Sequence, residues 1–304
     1  MESKWIIGAA LAAGFAAAGC GSDPAPATGD AAVNADAATG DGGAGGGAVE
    51  LRFAGKVGSE AFSCTGSYAG LGSTQRTWRP LDFRFYVHDV KLLRGDGSEV
   101  SVTLTDDGRW QDGHEALPDY EARTGLCNNG TTETNGVVRG TLPAGAAGPW
   151  AGVRFTLGVP FAQNHQNSAT AASPLNLSTL WWNWQGGYKF LRLDGRVDDA
   201  MGTMLMPSFN IHLGSTGCDG SAMGNVTNCT EPNRPTITLM GFDPTSNTVV
   251  ADLSRLVADS DLGTSSMAPG CMSGLTDPEC APLFRNLGIT VGSTAGAQTF
   301  FRVE

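Results

Sequence analysis

Apolar and polar residues alternate along many short segments of the chain, and this alternation is typical of strands that bury one face. The clearest segments are Leu51 and Phe53; Phe83, Phe85 and Val87; Val153, Phe155 and Leu157; Phe209, Ile211 and Leu213; and Ile237 and Leu239. Turn-forming residues separate such segments, among them Gly95-Asp96-Gly97, Asp106-Asp107-Gly108, Asn128-Asn129-Gly130 and Asp194-Gly195. The pattern predicts an all-β chain folded as an antiparallel β-sandwich.

One segment departs from this alternation and follows a helical period. Between Pro174 and Gln185, apolar residues recur at the spacing i, i+3, i+4 and i+7, at positions Leu177, Leu180, Trp181 and Trp184. The spacing predicts one short Trp-rich helix that begins after Ser173. On such a helix Trp182 would point about 100° away from Trp181. Trp182 is therefore the tryptophan with the least reason to pack in the core.

The N-terminus has the features of an export signal. In residues 1–19, Lys4 precedes a short apolar run that ends in Ala18 and Gly19, directly before Cys20. This ending resembles a bacterial lipobox and predicts a lipoprotein signal peptide with Cys20 as the lipidated residue of the mature protein. Ordinary cleavage that leaves Cys20 as a free thiol is the alternative.

Composition divides the rest of the chain into a linker and a domain. Residues 20–48 are almost entirely Gly, Ala, Asp, Pro, Thr, Ser and Asn, a mixture too polar to bury a core, and we predict a disordered linker. Residues 49–304 carry the alternating segments and are predicted to form a single β domain. The net charge of −11 includes no basic stripe, which argues against nucleic acid as a partner and leaves a lipid anchor as the expected membrane contact.

Six cysteines follow Cys20, an even number that predicts three disulfides in an exported chain: Cys64, Cys127, Cys218, Cys229, Cys271 and Cys280. Short separations favour Cys218–Cys229 and Cys271–Cys280 as local bridges, which leaves Cys64–Cys127 as a long one. Other connectivities stay open on spacing alone. The absence of a C-x-x-C motif disfavours a zinc or iron–sulfur site.

Four histidines are the candidate metal ligands: His88, His114, His165 and His212. In the strand that buries Phe209 and Ile211, His212 takes the opposite, polar face. A single imidazole holds a transition metal weakly, so a structural role is the alternative unless two histidines converge. Sequence motifs of hydrolases, kinases, metalloproteases and dinucleotide-binding enzymes are absent, and we predict no catalytic residues and no enzymatic activity.

Five blocks of the sequence carry a family resemblance: Asp82–Val90 (DFRFYVHDV), Leu157–Pro160 with Asn164-His165, Trp182–Phe190 (WNWQGGYKF), His212–Cys218 (HLGSTGC), and Cys229 with Pro232–Arg234. Over roughly residues 49–256 the chain resembles the MbnP-type periplasmic copper-binding proteins, also described as the four-Cys member of the metallo-mystery pair. The resemblance implies a copper-binding protein, with Cu(I) as the expected ion. Its four cysteines correspond to Cys64, Cys127, Cys218 and Cys229.

The resemblance also implies a partner and a modification. The partner is a di-haem protein similar to MauG and the bacterial cytochrome c peroxidases, which oxidises a tryptophan to kynurenine. The candidates for this change are Trp182 and Trp184, and the candidate copper ligands are His165 and His212, with His88 of the first block as a third. The expected location is the periplasm or cell surface, with an anchor in the outer membrane and a role in copper acquisition or handling.

Two further interpretations are open at this stage. Met201, Met204 and Met206 form a cluster of soft donors ahead of His212, although a core or loop role is favoured because thioether ligation needs convergence. The alternative function is a surface interaction or glycan-binding β-sandwich lipoprotein, in which Trp181 and Trp182 stack on sugars.

Overall fold

The alternating segments form strands in a computed structural model, which describes residues 47–221, 224–264, 269–274 and 276–304. These residues belong to one compact unit, Ala44–Glu304. The predicted signal peptide at residues 1–19, the lipidated Cys20 and nearly all of the predicted linker at residues 20–48 lie outside the described residues. Within the described ranges, no helix is both long enough and apolar enough to cross a membrane.

Strands dominate the part of the chain that the structure describes. They are β1 (Ala48–Val57), β2 (Glu60–Ala61), β3 (Tyr68–Leu71), β4 (Arg76–Phe85), β5 (Val87–Leu93), β6 (Glu99–Ser101), β7 (Thr103–Leu104), β8 (Glu115–Ala116), β9 (Val137–Thr141), β10 (Gly152–Leu157), β11 (Trp181–Asn183), β12 (Gly187–Tyr188), β13 (Leu191–Asp198), β14 (Met204–Leu213), β15 (Thr216–Cys218), β16 (Cys229–Glu231), β17 (Thr236–Met240), β18 (Thr248–Asp252), β19 (Gly270–Cys271) and β20 (Phe301–Val303). The helices are short: α1 (Phe161–Asn164), α2 (Leu253–Leu256), α3 (Cys280–Asn286) and a 3₁₀ turn at Ser178–Leu180.

Three sheets contain most of the strands. Sheet A has the order β20-β18-β1-β9-β7 with β2 beside β1, sheet B the order β19-β14-β13-β4-β3, and sheet C the order β17-β10-β5-β6 with β8 beside β5. The pairs β1–β18 and β14–β19 are parallel, and the other pairs in these sheets are antiparallel. Two ribbons, β11–β12 and β15–β16, lie outside the three sheets.

The core lies between sheet A on one side and sheets B and C on the other. The chain passes from sheet B to sheet C at Tyr86, between β4 and β5. Phe53 of sheet A contacts Phe85 of sheet B, with ring centroids 6.1 Å apart, and Phe155 of sheet C, at 5.5 Å. Phe155 in turn meets Phe301 of sheet A edge-on at 5.1 Å. Since two layers bury their aromatic faces against each other, the predicted β-sandwich is confirmed.

The face of sheet B that points away from this core carries polar residues in register. Arg84 on β4 pairs with Arg192 on β13, which pairs with His212 on β14. The neighbouring row consists of Asp82, Asp194 and Asn210. Side chains of directly paired residues lie on the same face of a sheet, so the two rows form one polar surface.

The predicted Trp-rich helix is wrong. Ser178–Leu180 form a single 3₁₀ turn, and the chain then enters β11, where Trp181 pairs with Tyr188 of β12. An isolated helix of this length is marginal, because the entropy of starting it is recovered over too few hydrogen bonds. Leu180 is buried and Trp181 packs against the core from an extended backbone. The apolar spacing therefore reflects two irregular contacts with the core and not one helical face.

Three disulfides are present in the described residues. Cys64–Cys127 joins two loops, Cys218–Cys229 joins β15 to β16, and Cys271–Cys280 joins β19 to the start of α3. These are the pairs that the short sequence separations favour. The second bridge closes the ribbon that follows His212, and the third ties β19 to the helix packed behind it.

Candidate metal centre

His212 is a buried imidazole that touches one buried carboxylate, that of Asp194. It lies near the end of β14 on the polar face of sheet B, with 6% of its surface exposed. Its Nε2 is 2.8 Å from Asp194 Oδ1, within hydrogen-bond distance, and its Nδ1 has no hydrogen-bond partner among the described residues. Burial lowers the pKa of His212, so the ring is neutral at pH 7.

Asp194 stays charged beside this neutral ring. Burial raises the pKa of its carboxyl, but contact with His212 and the positive charge of Arg192 outweigh burial and lower it overall. Because His212 is neutral at pH 7, Arg192 supplies the charge that keeps Asp194 ionised, with Nε donating to Asp194 Oδ2 over 2.7 Å. Asp194 Oδ1 is thus a charged acceptor directly beside the imidazole.

Trp182 lies next to His212. The two ring centroids are 6.4 Å apart and the planes are tilted by 55°. Trp182 belongs to β11 and is half-buried, with its benzo edge against the backbone of Gly214. A Cβ atom on residue 214 would lie 2.4 Å from Trp182 Cζ3, so the glycine is what permits the indole to approach. The close contact fixes the position of Trp182 relative to His212.

Trp182 also lines a cavity of about 490 Å³. Its walls come from the Trp182 segment, from the loop and strand after His212, and from Met272, which follows β19. The lining residues are Trp182, Asn183, Gln185, Gly186, Ser215, Thr216, Gly217, Cys218 and Met272. Since Trp182 lines the cavity and also contacts the buried His212, a change in its indole would alter access from the cavity to the imidazole.

His165 contacts the same segment through Trp184. It follows α1, and its Nδ1 donates to the Trp184 carbonyl oxygen over 2.9 Å. This bond assigns the proton to Nδ1 and leaves Nε2 as an acceptor. The Nε2 atom lies 3.2 Å from Asn164 Nδ2 and 3.6 Å from Cys229 Sγ. Burial lowers the pKa of His165, so this imidazole is neutral as well. His165 and His212 are therefore joined through one segment, Trp182–Gln185.

The two candidate tryptophans differ in their surroundings. Trp182 lines the cavity and faces His212. The Trp184 ring packs edge-on against Trp181, with centroids 6.0 Å apart, and its carbonyl holds His165. Of the two, Trp182 is the one whose ring borders both open space and an imidazole.

His88 lies in a different sheet. It is on β5 of sheet C, and its Nδ1 donates to the Gly158 carbonyl oxygen over 2.8 Å. Burial lowers the pKa of His88, and the nearby positive charge of Arg234 lowers it further. Arg234 is itself partly enclosed, with its guanidinium 4.8 Å from the Phe190 ring centroid. A fixed cation beside His88 opposes the binding of a metal cation there.

Two groups that bring cysteine near other metal-binding side chains are not metal sites. One consists of His165, Cys218 and Cys229, the other of Cys64, Glu121 and Cys127. In both groups the cysteines are joined in disulfides. The cysteine donor for metals is the thiolate, which a disulfide sulfur is not.

Three residues of this centre escaped sequence reasoning. Asp194 was part of a predicted turn but lies inside β13, and Gly214 and Met272 were not singled out. The Asp194-Gly195 prediction was wrong because Gly195 serves a close contact: a Cβ there would lie 2.0 Å from Trp78 Cε2. The alternation around Leu191, Leu193 and Val197 was the available signal for a strand.

Together these features define a disulfide-bonded, metal-binding type of β-sandwich, in which a buried imidazole lies beside a tryptophan that lines a cavity. The profile of the MbnP family matches residues 46–273, which is most of the sequence. The chain belongs to the MbnP family, and the predicted resemblance is confirmed. The solved structure of MbnP from Methylosinus trichosporium is similar, with a TM-score of 0.71 and 29% sequence identity over 84% of this chain and 98% of that chain. No curated protein sequence matches.

Proposed function

We propose that this protein binds copper in the cell envelope, at a site built on His212 and His165 and adjoining Trp182. The observation that carries the proposal is the His212 ring: it is buried and neutral, its Nδ1 has no hydrogen-bond partner among the described residues, and it faces a tryptophan that borders a cavity. An unsatisfied buried imidazole costs stability unless a ligand uses it. Membership of the MbnP family, which is linked to copper, supports copper as that ligand.

The donor set fits copper. Neutral imidazole nitrogen is a good ligand for this metal. Histidines that bind metals donate their other N–H to a carboxylate or a backbone carbonyl, which fixes the ring and the proton. Asp194 Oδ1 stands beside His212 Nε2, and the Trp184 carbonyl accepts from His165 Nδ1. His212 Nδ1 is therefore the nitrogen left for copper, which is the cargo of the protein, and His165 Nε2 would bind copper in place of the hydrogen bond that Asn164 Nδ2 donates to it.

We further propose that a di-haem partner of the MauG type oxidises Trp182 to kynurenine with hydrogen peroxide. Two peroxide molecules each deliver one oxygen atom to the C2–C3 bond of the indole, which breaks, and each accepts two electrons and leaves as water. Hydrolysis then releases C2 as formate, for a net gain of about 4 Da. The product carries a ketone and an aromatic amine, both new donors beside His212. The position of the Trp182 ring between the cavity and His212 favours Trp182 over Trp184.

The test uses protein purified from its own host. We expect bound copper together with a gain of about 4 Da on the peptide that contains Trp182. His212→Ala should lose the copper, and Trp182→Phe should lose both copper and the mass change, while the exposed His114→Ala serves as the matched control and keeps both. Wild-type protein without copper, or His212→Ala with full copper content, would overturn the proposal.

The proposed location of the protein also follows from its family. Proteins of the MbnP family are extracellular or periplasmic. We propose that this chain is held at the outer membrane by lipid on Cys20, through a linker that lets the domain reach its partner. Mass spectrometry of the mature N-terminus should find a diacylated Cys20, and an unmodified thiol at that position would contradict the anchor.

A further inference from the structure

A smaller cavity, of about 170 Å³, is lined by Arg84 of the polar face of sheet B. It shares no lining residue with the cavity beside Trp182. Arg84 and Asp119, both buried, belong to its wall, and the half-buried side chains of Trp110 and Leu177 supply an apolar part. Since a water molecule takes roughly 30 Å³ of liquid, the cavity has room for a ligand of about five or six non-hydrogen atoms.

The guanidinium of Arg84 has one nitrogen left over for a ligand. Its Nε and Nη2 donate to the two carboxylate oxygens of Asp82, and Nη2 also donates to Thr179 Oγ1 over 3.3 Å. Nη1, at the opposite corner of the planar group, is buried and has no hydrogen-bond partner among the described residues. A buried charged donor without an acceptor costs stability, and an acceptor bound in the cavity would remove that cost.

Asp119 supplies a second donor from the same wall. Its Oδ1 accepts a hydrogen bond from the Glu121 N–H over 2.8 Å, which leaves Oδ2 to carry a proton. Burial raises the pKa of Asp119 to about 7, against the opposing charge of Arg84. The negative charges of Asp82 and Glu121 act in the same direction as burial. At pH 6 this carboxyl is therefore mainly protonated and can donate to an acceptor in the cavity.

We propose that this cavity binds a small monocarboxylate, whose two oxygens accept from Arg84 Nη1 and from the protonated Asp119. This inference is independent of copper. A carboxylate offers an acceptor to each of the two donors, and its charge strengthens the hydrogen bond from the guanidinium. A short alkyl chain would lie against Trp110 and Leu177. A doubly charged anion such as sulfate fits less well, because the carboxylate of Asp82 beside Arg84 repels it.

The exposed part of the cavity wall carries a further positive charge. Arg109 lines the cavity and lies over the Trp110 ring, with its guanidinium carbon 4.7 Å from the ring centroid. It pairs with Glu133 over 3.0 Å at the surface, where ion pairs are weak. In a chain with a net charge of −11, Arg109 offsets locally the repulsion that the protein exerts on an anion.

The test is isothermal titration calorimetry of the full chain with sodium propionate, at pH 6 and pH 8 and at constant ionic strength. We expect saturable binding at one site. Binding should be about tenfold weaker at pH 8, because about a tenth of the molecules keep the Asp119 proton one pH unit above a pKa of about 7. Asp119→Asn should bind equally at both pH values, since the amide nitrogen donates in place of the carboxyl.

Arg109→Gln tests the charge on the exposed wall, and Arg139→Gln is its matched control. The two arginine side chains are 46% and 45% exposed, and each pairs with a glutamate over 3.0 Å. We expect about threefold weaker binding of propionate by Arg109→Gln and wild-type binding by Arg139→Gln. Both variants should keep the wild-type circular dichroism spectrum.

Four results would overturn the proposal. The first is the absence of saturable propionate binding by the wild type. The second is equal binding of sodium chloride or sodium sulfate, which would make Arg84 part of a general anion site. The third is a loss of affinity with rising pH that persists in Asp119→Asn, which would place the carboxylate elsewhere. The fourth is equal weakening by Arg109→Gln and Arg139→Gln, which would indicate an effect of net charge alone.

Discussion

The polar face of sheet B has two buried regions that treat their charges differently. In the first, Arg84 and Asp82 are both fully buried and paired, with Arg84 Nε and Nη2 donating to the two carboxylate oxygens over 2.8 Å and 2.5 Å. In the second, two strands away, His212 Nδ1 has no hydrogen-bond partner among the described residues. In the first region both carboxylate oxygens are paired and the unpartnered atom in the described ranges is a charged donor, Arg84 Nη1, whereas the second offers a neutral nitrogen that can bind a ligand.

This difference separates a structural role from a binding role. Arg84 is held so firmly in its charged form that its pKa rises despite burial, because Asp82 accepts two hydrogen bonds from it. His212 is equally enclosed but neutral, since burial outweighs the contact with Asp194. Substitutions in the paired region should therefore change the stability of the fold, and substitutions around His212 should change ligand binding.

The largest effect is expected for Arg84→Met. Removing Arg84 leaves the enclosed Asp82 with Arg192 as its remaining cationic partner, Nε at 3.2 Å, so the free energy of unfolding should fall by about 3 kcal/mol, the lower end of the range for a broken buried pair. Arg139→Met is the matched control, because Arg139 pairs with Glu50 at the surface and should cost at most about 1 kcal/mol. Denaturant titration measures both. Similar values for the two variants would contradict the structural role of the buried pair.

A smaller effect is expected for Gly214→Ala. The new methyl group would lie 2.4 Å from Trp182 Cζ3 and 2.8 Å from the Tyr188 carbonyl oxygen, so the indole must move away. Overpacking of this kind costs roughly 1–3 kcal/mol. We also expect less kynurenine at Trp182, measured by peptide mass spectrometry. Gly95→Ala, where an added Cβ meets nothing within 4 Å, should leave both quantities unchanged.

A substitution at Asp119 tests whether a further carboxyl near the Arg84–Asp82 pair stays protonated in the folded protein. Burial raises the pKa of Asp119 to about 7 even though Arg84 is near, because Asp82 already neutralises that arginine. The folded state thus keeps a proton that the unfolded state releases near pH 4, and stability should fall as the pH rises from about 4 to 7.

Asp119→Asn should remove its own share of this dependence, about 1–2 kcal/mol between pH 5 and pH 7, while the share of Glu115, whose pKa burial raises to about 8, remains in both proteins. The amide oxygen can still accept from the Glu121 N–H, as Asp119 Oδ1 does over 2.8 Å. The measurement is the free energy of unfolding at several pH values. Parallel curves for wild type and variant would show that Asp119 is ionised in the folded protein.

The sequence predicted the framework better than the site. Alternation located the strands around Phe53, Phe85, Phe155 and Phe209 because a buried strand face leaves its period in the local sequence. The helix predicted for the Trp-rich segment was wrong, because two separate contacts with the core happen to match a helical spacing. The place of Met272 in the cavity wall could not be predicted, because it follows β19, whose parallel pairing with β14 joins residues 60 positions apart, and no local pattern encodes such a pairing.

The smallest change in stability is expected for His212→Leu. This variant gives the clearest test of the difference between the Arg84 region and the His212 region. Leucine fills much of the same space and removes Nδ1, which has no hydrogen-bond partner among the described residues, but it places an apolar group against Asp194 Oδ1, so the copper-free variant should lose at most about 1 kcal/mol of stability. Its copper content should nevertheless be lost. Arg84→Met is expected to do the reverse, with reduced stability and copper still bound by the folded fraction. If His212→Leu instead destabilised the copper-free protein by several kcal/mol, His212 would be a structural residue like Arg84, and the contrast between the two regions would disappear.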